Sequence, residues 1–380
     1  METKKYRFDE VTINFDKKRI PLSSAQREKR QGTFRYYGAQ GVIDHVDDYI
    51  FDGTYLLIAE DGENLKSKKQ NIAQVVDGQF WVNNHAHIVQ GNEQCDTRFL
   101  CYLINSMDLS GYVTGSAQPK LSQANLNAVT LSLPTLAEQK RIVEYLYMLD
   151  QKIDVNRQIN DNLELQAQAF FQELFVDNAD PEWAIGTISD LGAVVGGSTP
   201  SKAKPEYYTE TGIAWITPKD LSINKSKFIS HGENDITELG LKNSSATIMP
   251  EGTVLFSSRA PIGYIAVAAG EVTTNQGFKS IVPKPEIGTA FVYYFLKHNL
   301  PIIEGMASGS TFKEVSGSTM KGVPAVIPDT DTIARFNDFC TPIFAQQRIL
   351  EEQNQSLAVL RDNLLPKLMS GEIDVSTIQL

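Results

Sequence analysis

His85 and His87 stand one residue apart, which is the chain's best metal-ligand spacing. Alternate residues of a strand face the same way, so both imidazoles could grip one ion. No third ligand is evident nearby. A polar loop or a base-contacting edge is the preferred reading, because Asn83 and Asn84 beside them carry amides able to read an adenine edge bidentately. Ser257-Ser258-Arg259 offers a hydroxyl nucleophile, but no histidine lies near it in sequence, and Arg259 equally suits a phosphate or a guanine. Ser-x-x-Lys occurs at Ser201–Lys204 and Ser222–Lys225 without the companion Lys-Thr-Gly. There is no Gly-x4-Gly-Lys-Ser/Thr loop, no Gly-x-Gly-x-x-Gly after a strand, no Asn/Asp-Pro-Pro-Tyr/Phe and no His-Glu-x-x-His. The expectation is a chain with no catalytic residues, no metal and no cofactor.

What remains is a supply of hydrogen bonds and positive charge. Lys18, Arg19, Arg30, Tyr36 and Tyr37 interleave cations with aromatics in the first half; Asn83, Asn84, His85, His87, Gln118 and Lys120 follow. In the second half Thr199, Ser201, Lys202, Thr217 and Lys219 are followed by Arg259, Asn275, Gln276 and Lys313. Lysines and hydroxyls of this kind contact phosphates, while Gln, Asn and Arg read base edges. These residues are the candidate DNA contacts.

The overall charge of −11 is awkward for a nucleic-acid protein. It hides local structure. Residues 1–35 carry ten Lys/Arg against five Asp/Glu, whereas residues 136–178 carry four against eight. A basic surface and an acidic helix can serve different partners. The length of 380 residues suits two ordinary domains, and no run of 18 apolar residues suggests a membrane span. The N-terminus lacks a secretory pattern, and the three cysteines form no Cys-x-x-Cys pair, which suits a reducing cytoplasm.

The elements that must position these loops announce themselves by repetition. At an offset of 194, Gly115-Ser116 matches Gly309-Ser310, Leu121-Ser122 matches Val315-Ser316, and Leu126 matches Met320. Leu133-Pro134 matches Ile327-Pro328, and a helical pattern of about 40 residues follows each proline. The first helix has a three-four seam of Ile142, Leu146, Leu149, Ile153, Asn156, Asn160, Leu163, Ala167, Phe170 and Leu174. The second repeats it with Phe336, Cys340, Ile343, Gln347, Leu350, Asn354, Leu357, Arg361, Leu364 and Leu368. Asn160 and Asn354 hold equivalent central positions, where a seam asparagine sets register at some cost in stability. Pro366 should bend the end of the second helix or lie exposed. Short strands at Tyr55–Ile58, Val254–Phe256 and Ile265–Ala268, with helices at Phe99–Asn105 and Phe291–Leu300, make the halves mixed α/β. The expected organisation is a first globular domain over 1–134, a central helix over 135–178, a second globular domain over 179–328 and a C-terminal helix over 329–374.

Several stretches then become familiar together. Lys18-Arg19-Ile20-Pro21-Leu22, Tyr36-Tyr37-Gly38-Ala39, Val82-Asn83-Asn84-His85-Ala86-His87 and Gly115 to Leu121 resemble a target recognition domain. Gly197 to Ser201, Trp215 to Leu221, Ser257 to Gly263 and Thr274 to Phe278 resemble another, and Leu364 to Ile373 resembles a characteristic C-terminal helix end. The chain is similar, over nearly its whole length, to the specificity (S) subunit family of type I restriction–modification enzymes. That resemblance implies two similar mixed α/β recognition domains joined by two long helices paired as an antiparallel coiled coil. It implies a non-catalytic subunit that reads a bipartite, asymmetric double-stranded DNA target. Two methylation subunits and the restriction subunits would assemble with it. A stand-alone DNA methyltransferase or nuclease with a diverged site is the alternative, and its cofactor loop and Pro-Pro-Tyr-type motif are missing. A scaffold without nucleic acid is a further one, which the interleaved cations and aromatics disfavour.

Overall fold

The computed structural model describes residues 2–67, 70–115, 118–309 and 313–373. Ser116 and Ser310 of the repeated Gly-Ser pairs, and residue 374 of the expected last helix, lie outside the described residues. Contacts divide the chain into two compact units, Met1–Lys152 with Ser356–Leu380, and Ile153–Gln355. Each unit therefore combines a globular half with a stretch of both long helices.

In the first unit, six strands pair in the order Thr12–Asn14, Ala86–Gly91, Phe51–Ala59, Ala73–Val82, Gln31–Gly38 and Gly41–Val46. Alternating apolar residues of the central strands, such as Leu56 and Ile58, are fully buried beneath Phe99, Leu100 and Ile104 of the helix Thr97–Ser106. In the second unit the same role is split. A five-stranded sheet is built on Val254–Ser258 and Ile262–Ala268, and a four-stranded sheet on Ile213–Ile216. The helix Thr289–His298 ends in Asn299, and a separate helix, Leu300–Gly305, takes over where the sequence suggested one element.

The repeat has a physical cause that is the same in both units. Thr114 and Lys120 exchange two backbone hydrogen bonds of 2.8 and 2.7 Å, and Ser308 and Glu314 exchange two of 3.1 and 2.9 Å. Each bridge brings together the residues on either side of a short segment. Gly115 and Gly309, next to Thr114 and Ser308, have φ of 85° and 132°, a region that disfavours side chains. At Gly115 a Cβ would also meet the Gln118 carbonyl oxygen at 2.2 Å. Ser122 and Ser316 then cap the short helices Gln123–Asn127 and Gly317–Lys321, accepting from Asn125 N at 3.2 Å and Thr319 N at 3.0 Å. The flanking Leu121, Leu126, Val315 and Met320 are fully buried. The strands Thr130–Leu133 and Pro324–Ile327 follow, and each leads into a long helix.

Those helices are Leu136–Gln172, extended by a π turn to Asp177, and Thr330–Ser370. Every expected seam residue is buried or half-buried. Within the second unit the seam is read directly and runs antiparallel. Asn156 Nδ2 donates to Asn354 Oδ1 at 2.9 Å, Asn160 Nδ2 donates to the Gln347 carbonyl at 3.4 Å, and Phe170 meets Phe339 at 4.6 Å between ring centroids. Asn354 is thus bonded to Asn156 rather than to its sequence equivalent Asn160. Antiparallel helices pair positions on opposite sides of a midpoint, so equivalents need not touch. In the first unit Arg361 NH1 and Tyr102 OH both donate to Asp150, at 2.7 and 2.5 Å. Pro366 lies on the exposed side of the last helix, which continues past it to Ser370.

Candidate nucleic-acid interface

In the first unit the strand begins only at Ala86, so His85 falls in the exposed turn before it and His87 inside it, and the two histidines differ in environment. His85 Nδ1 lies 2.7 Å from Asp61 Oδ2 at the surface. His87 is 1% exposed, with Nδ1 2.7 Å from Asp16 Oδ2 and Nε2 2.8 Å from the Leu121 carbonyl. The two rings thus face different partners, and no group of three potential ligands is present among the described residues. The buried position also takes His87 out of the set of direct base contacts. Burial pulls its pKa down, but the hydrogen bonds to Asp16 and Leu121 and the charges of Asp16 and Glu60 outweigh it, leaving it above the ordinary 6.5. Asp16 is lowered: burial is outweighed by His87, by the Ile88 N–H at 2.8 Å and by Arg19.

Arg19 is likewise a staple. Its Nε donates to the Asp16 carbonyl at 3.0 Å, and its NH1 donates to Ala86 O at 2.8 Å and to Glu60 at 3.1 Å. Glu60 also takes Lys120 at 3.2 Å, and its carbonyl accepts from Leu121 N at 2.8 Å. Tyr36 is fully buried with its hydroxyl accepting from Leu22 N at 2.9 Å, and Tyr37 is buried in the sheet, so neither offers a face to a base. Asn83 is buried and accepts from His85 N at 2.8 Å, which makes it a turn brace. Arg30 pairs with Asp47 at 2.8 Å and lies over Trp81. Exposed candidates in this unit are Lys18, Asn84, His85, Gln118 and Lys120.

In the second unit Thr217 caps the helix Pro218–Ile223, with its Oγ1 donating to Asp220 at 2.6 Å, so its hydroxyl is committed to the fold. Thr199 is hydrogen-bonded to Gln276, and Asn275 Oδ1 accepts from Gly277 N at 2.8 Å to close the turn that presents Gln276. Lys219 is paired with Glu233, and Arg259 reaches Glu314 at 3.4 Å. Ser201, Lys202, Lys219, Gln276 and Lys313 are exposed, and Arg259 is half-exposed. Ser257 is no nucleophile: it is fully buried, donating to Pro261 O at 2.9 Å and accepting from Tyr264 N at 2.8 Å.

The groups that sequence reasoning missed are the buried charges beneath these loops. Lys227 is 7% exposed and joins the second globular half to both helices. It is ion-paired with Glu164 of the central helix and donates to Gln347 Oε1 of the C-terminal helix at 2.6 Å. Glu351 of the latter accepts the Lys227 and Phe228 N–H groups at 2.8 and 3.0 Å. Glu164 also takes Lys297 at 2.6 Å and Tyr294 OH at 2.8 Å. Burial tends to raise the Glu164 pKa, but the two lysines overcome it and hold it at about 2. Burial lowers Lys227 beyond what Glu164 returns. Nothing in the local sequence marks Lys227, because its significance depends on partners more than 60 residues away.

Comparison with known proteins agrees with this architecture. The family model described as "Type I restriction modification DNA specificity domain" matches residues 2–165 and 181–358. The MjaIX specificity subunit of Methanocaldococcus jannaschii is 39% identical over 191 residues, which is 48% of this chain and 44% of that protein. The HindI specificity subunit of Haemophilus influenzae is 24% identical over 404 aligned positions, covering 85% of this chain and 84% of that one. The chain thus spans under half the length of the first relative and most of the second. A crystal structure of an S subunit from M. genitalium shares the fold, with a TM-score of 0.60, 16% identity and coverage of 97% of this chain and 96% of that one. With both globular halves and most of both long helices inside the two matched stretches, the chain belongs to the type I restriction–modification DNA specificity family.

Proposed function

We propose that this chain is the DNA-recognition subunit of a cytoplasmic type I restriction–modification complex. It reads a bipartite, asymmetric double-stranded target and positions two methylation subunits, and through them restriction subunits, on that target. The duplicated specificity-domain match carries the reading. Two similar readers with different surface loops suit two different half-sites, while the shared loop-and-cap motif leading into each helix suits two copies of one partner. The paired helices act as the spacer between the readers. Exposed Lys18, Lys120, Lys202, Lys219 and Lys313 are proposed phosphate contacts; Asn84, His85, Gln118, Arg259 and Gln276 are proposed base readers. The chain itself contributes no catalytic group.

The test is methylome sequencing of a host that expresses the chain with its cognate methylation subunit. A two-part motif with a fixed gap is expected. Exchanging residues 179–328 for those of another family member should change one half of the motif only. A motif altered in both halves would refute modular reading, and methyl transfer by the purified chain alone would refute a purely recognitional role.

A further inference from the structure

The two readers support their returning segments with different cations. In the first, Glu60 N donates to His85 O at 2.9 Å and Leu121 N to Glu60 O at 2.8 Å. In the second, Ser258 N donates to Gly277 O at 2.7 Å and Val315 N to Ser258 O at 3.0 Å. These bonds align His85 with Gly277 and Leu121 with Val315. Two residues further along the strand, His87 therefore aligns with Lys279. Lys279 lies 3.7 Å from Glu314, which occupies the position of Lys120 in the repeat. Each reader thus has a cation at this strand position, a histidine that bonds the Leu121 carbonyl in the first and a lysine that reaches the Glu314 side chain in the second.

The chemistry at His87 is restrictive. Its Nδ1 faces the Asp16 carboxylate and its Nε2 faces a backbone carbonyl, both obligate acceptors. Neutral imidazole has one N–H, so both contacts require the imidazolium. Asp16 retains the Nδ1 proton most strongly, being a carboxylate. Loss of a proton then leaves the Nε2 lone pair opposite the Leu121 carbonyl oxygen. The charged groups around this site are Asp16, Glu60, Arg19 against both of them, and Lys120 against Glu60. Lysine keeps its charge to a pH near 10, whereas histidine titrates near neutrality.

From this we infer that His87 is a positioning residue for the first reader: as an imidazolium it holds the Gln118–Leu121 segment in its DNA-reading position, so recognition of the first half-site alone weakens as pH rises. The inference rests on the DNA-recognition reading above. Because His85 of the same reader is itself a proposed base contact, the pH effect is assigned to His87 only if it vanishes in His87→Gln, which keeps His85.

The experiment uses the full chain with its methylation subunit and S-adenosylmethionine on plasmid libraries randomised in one half-site at a time, between pH 6 and pH 9. Discrimination in the first half-site should fall roughly tenfold, the scale of one lost charge-assisted hydrogen bond. Discrimination in the second should stay level. His87→Gln should show the high-pH behaviour of the first half at every pH. Because that variant could misfold, ¹⁵N-histidine spectra of the wild-type chain provide a separate measure. One of its five histidines should show both ring nitrogens protonated at pH 7. Equal pH dependence in the two halves, or a neutral His87 at pH 7, would overturn the inference. Absence of any sequence-specific methylation would count instead against the DNA-recognition reading, and the spectra would still decide the state of His87.

Discussion

Replacing Lys227 with methionine should cost the second unit about 3 kcal/mol, within the range for breaking a buried ion pair. The Lys227 ammonium also lies over the rings of Phe344, Tyr293 and Tyr294; methionine keeps the length of the stem but not that charge, so the loss is chiefly electrostatic. Glu164 would keep Lys297 and Tyr294 as partners, which places the loss at the lower end. The carboxylate gives an independent measure. Holding Glu164 at about 2 rather than 4.5 contributes about 3 kcal/mol at neutral pH. The folded value is depressed, so this contribution is present above pH 4.5 and is lost as pH falls toward 2. The lowered pKa of buried Lys227 works against it, and the pair's net contribution is smaller than that of Glu164 alone. The assay is urea denaturation of the full chain followed by tryptophan fluorescence, at pH 7 and at pH 4 and below. Lys227→Met should lower stability at pH 7 and show a shallower acid loss than wild type. Combining it with Glu164→Gln should recover at least about 1 kcal/mol of the summed single losses. A loss below about 1 kcal/mol, or an unchanged acid profile, would refute the view that this pair anchors the recognition domain to the helices.

Arg259→Ala and Gln276→Ala should each relax preference at one base pair by about 1–3 kcal/mol, read from the methylated motif. Lys219→Ala should weaken binding to all sequences and flatten the salt dependence by less than about one unit of slope, because Glu233 already offsets part of its charge. Changing Asn156 and Asn354 together to leucine should raise the melting temperature and broaden the accepted gap between half-sites; an unchanged melt and gap would deny them a register role. Cys95, Cys101 and Cys340, with thiols pushed by burial to about 12, should resist a thiol reagent in the folded chain and react after unfolding.

The long helices and the duplication were legible because their signals are local and periodic. A three-four seam names its own buried face, and every residue assigned to it is buried or half-buried. The Gly-x6-Ser repeat was equally visible, since a positive-φ glycine and a capping serine are dictated by backbone geometry within a few residues. Side-chain roles in the loops were not. Sequence placed His85 and His87 on one face and grouped Tyr36, Arg19 and Thr217 with the DNA contacts by residue type alone. The tertiary structure decided otherwise for those that found internal partners: Asp16 and Leu121 for His87, Leu22 for Tyr36, Glu60 for Arg19, Asp220 for Thr217. A polar group faces solvent, ligand or core according to which distant atoms satisfy its hydrogen bonds, and local spacing carries no record of them. For the same reason Lys227, indistinguishable in sequence from a surface lysine, becomes a buried anchor only when Glu164 and Gln347 are brought to it by the fold.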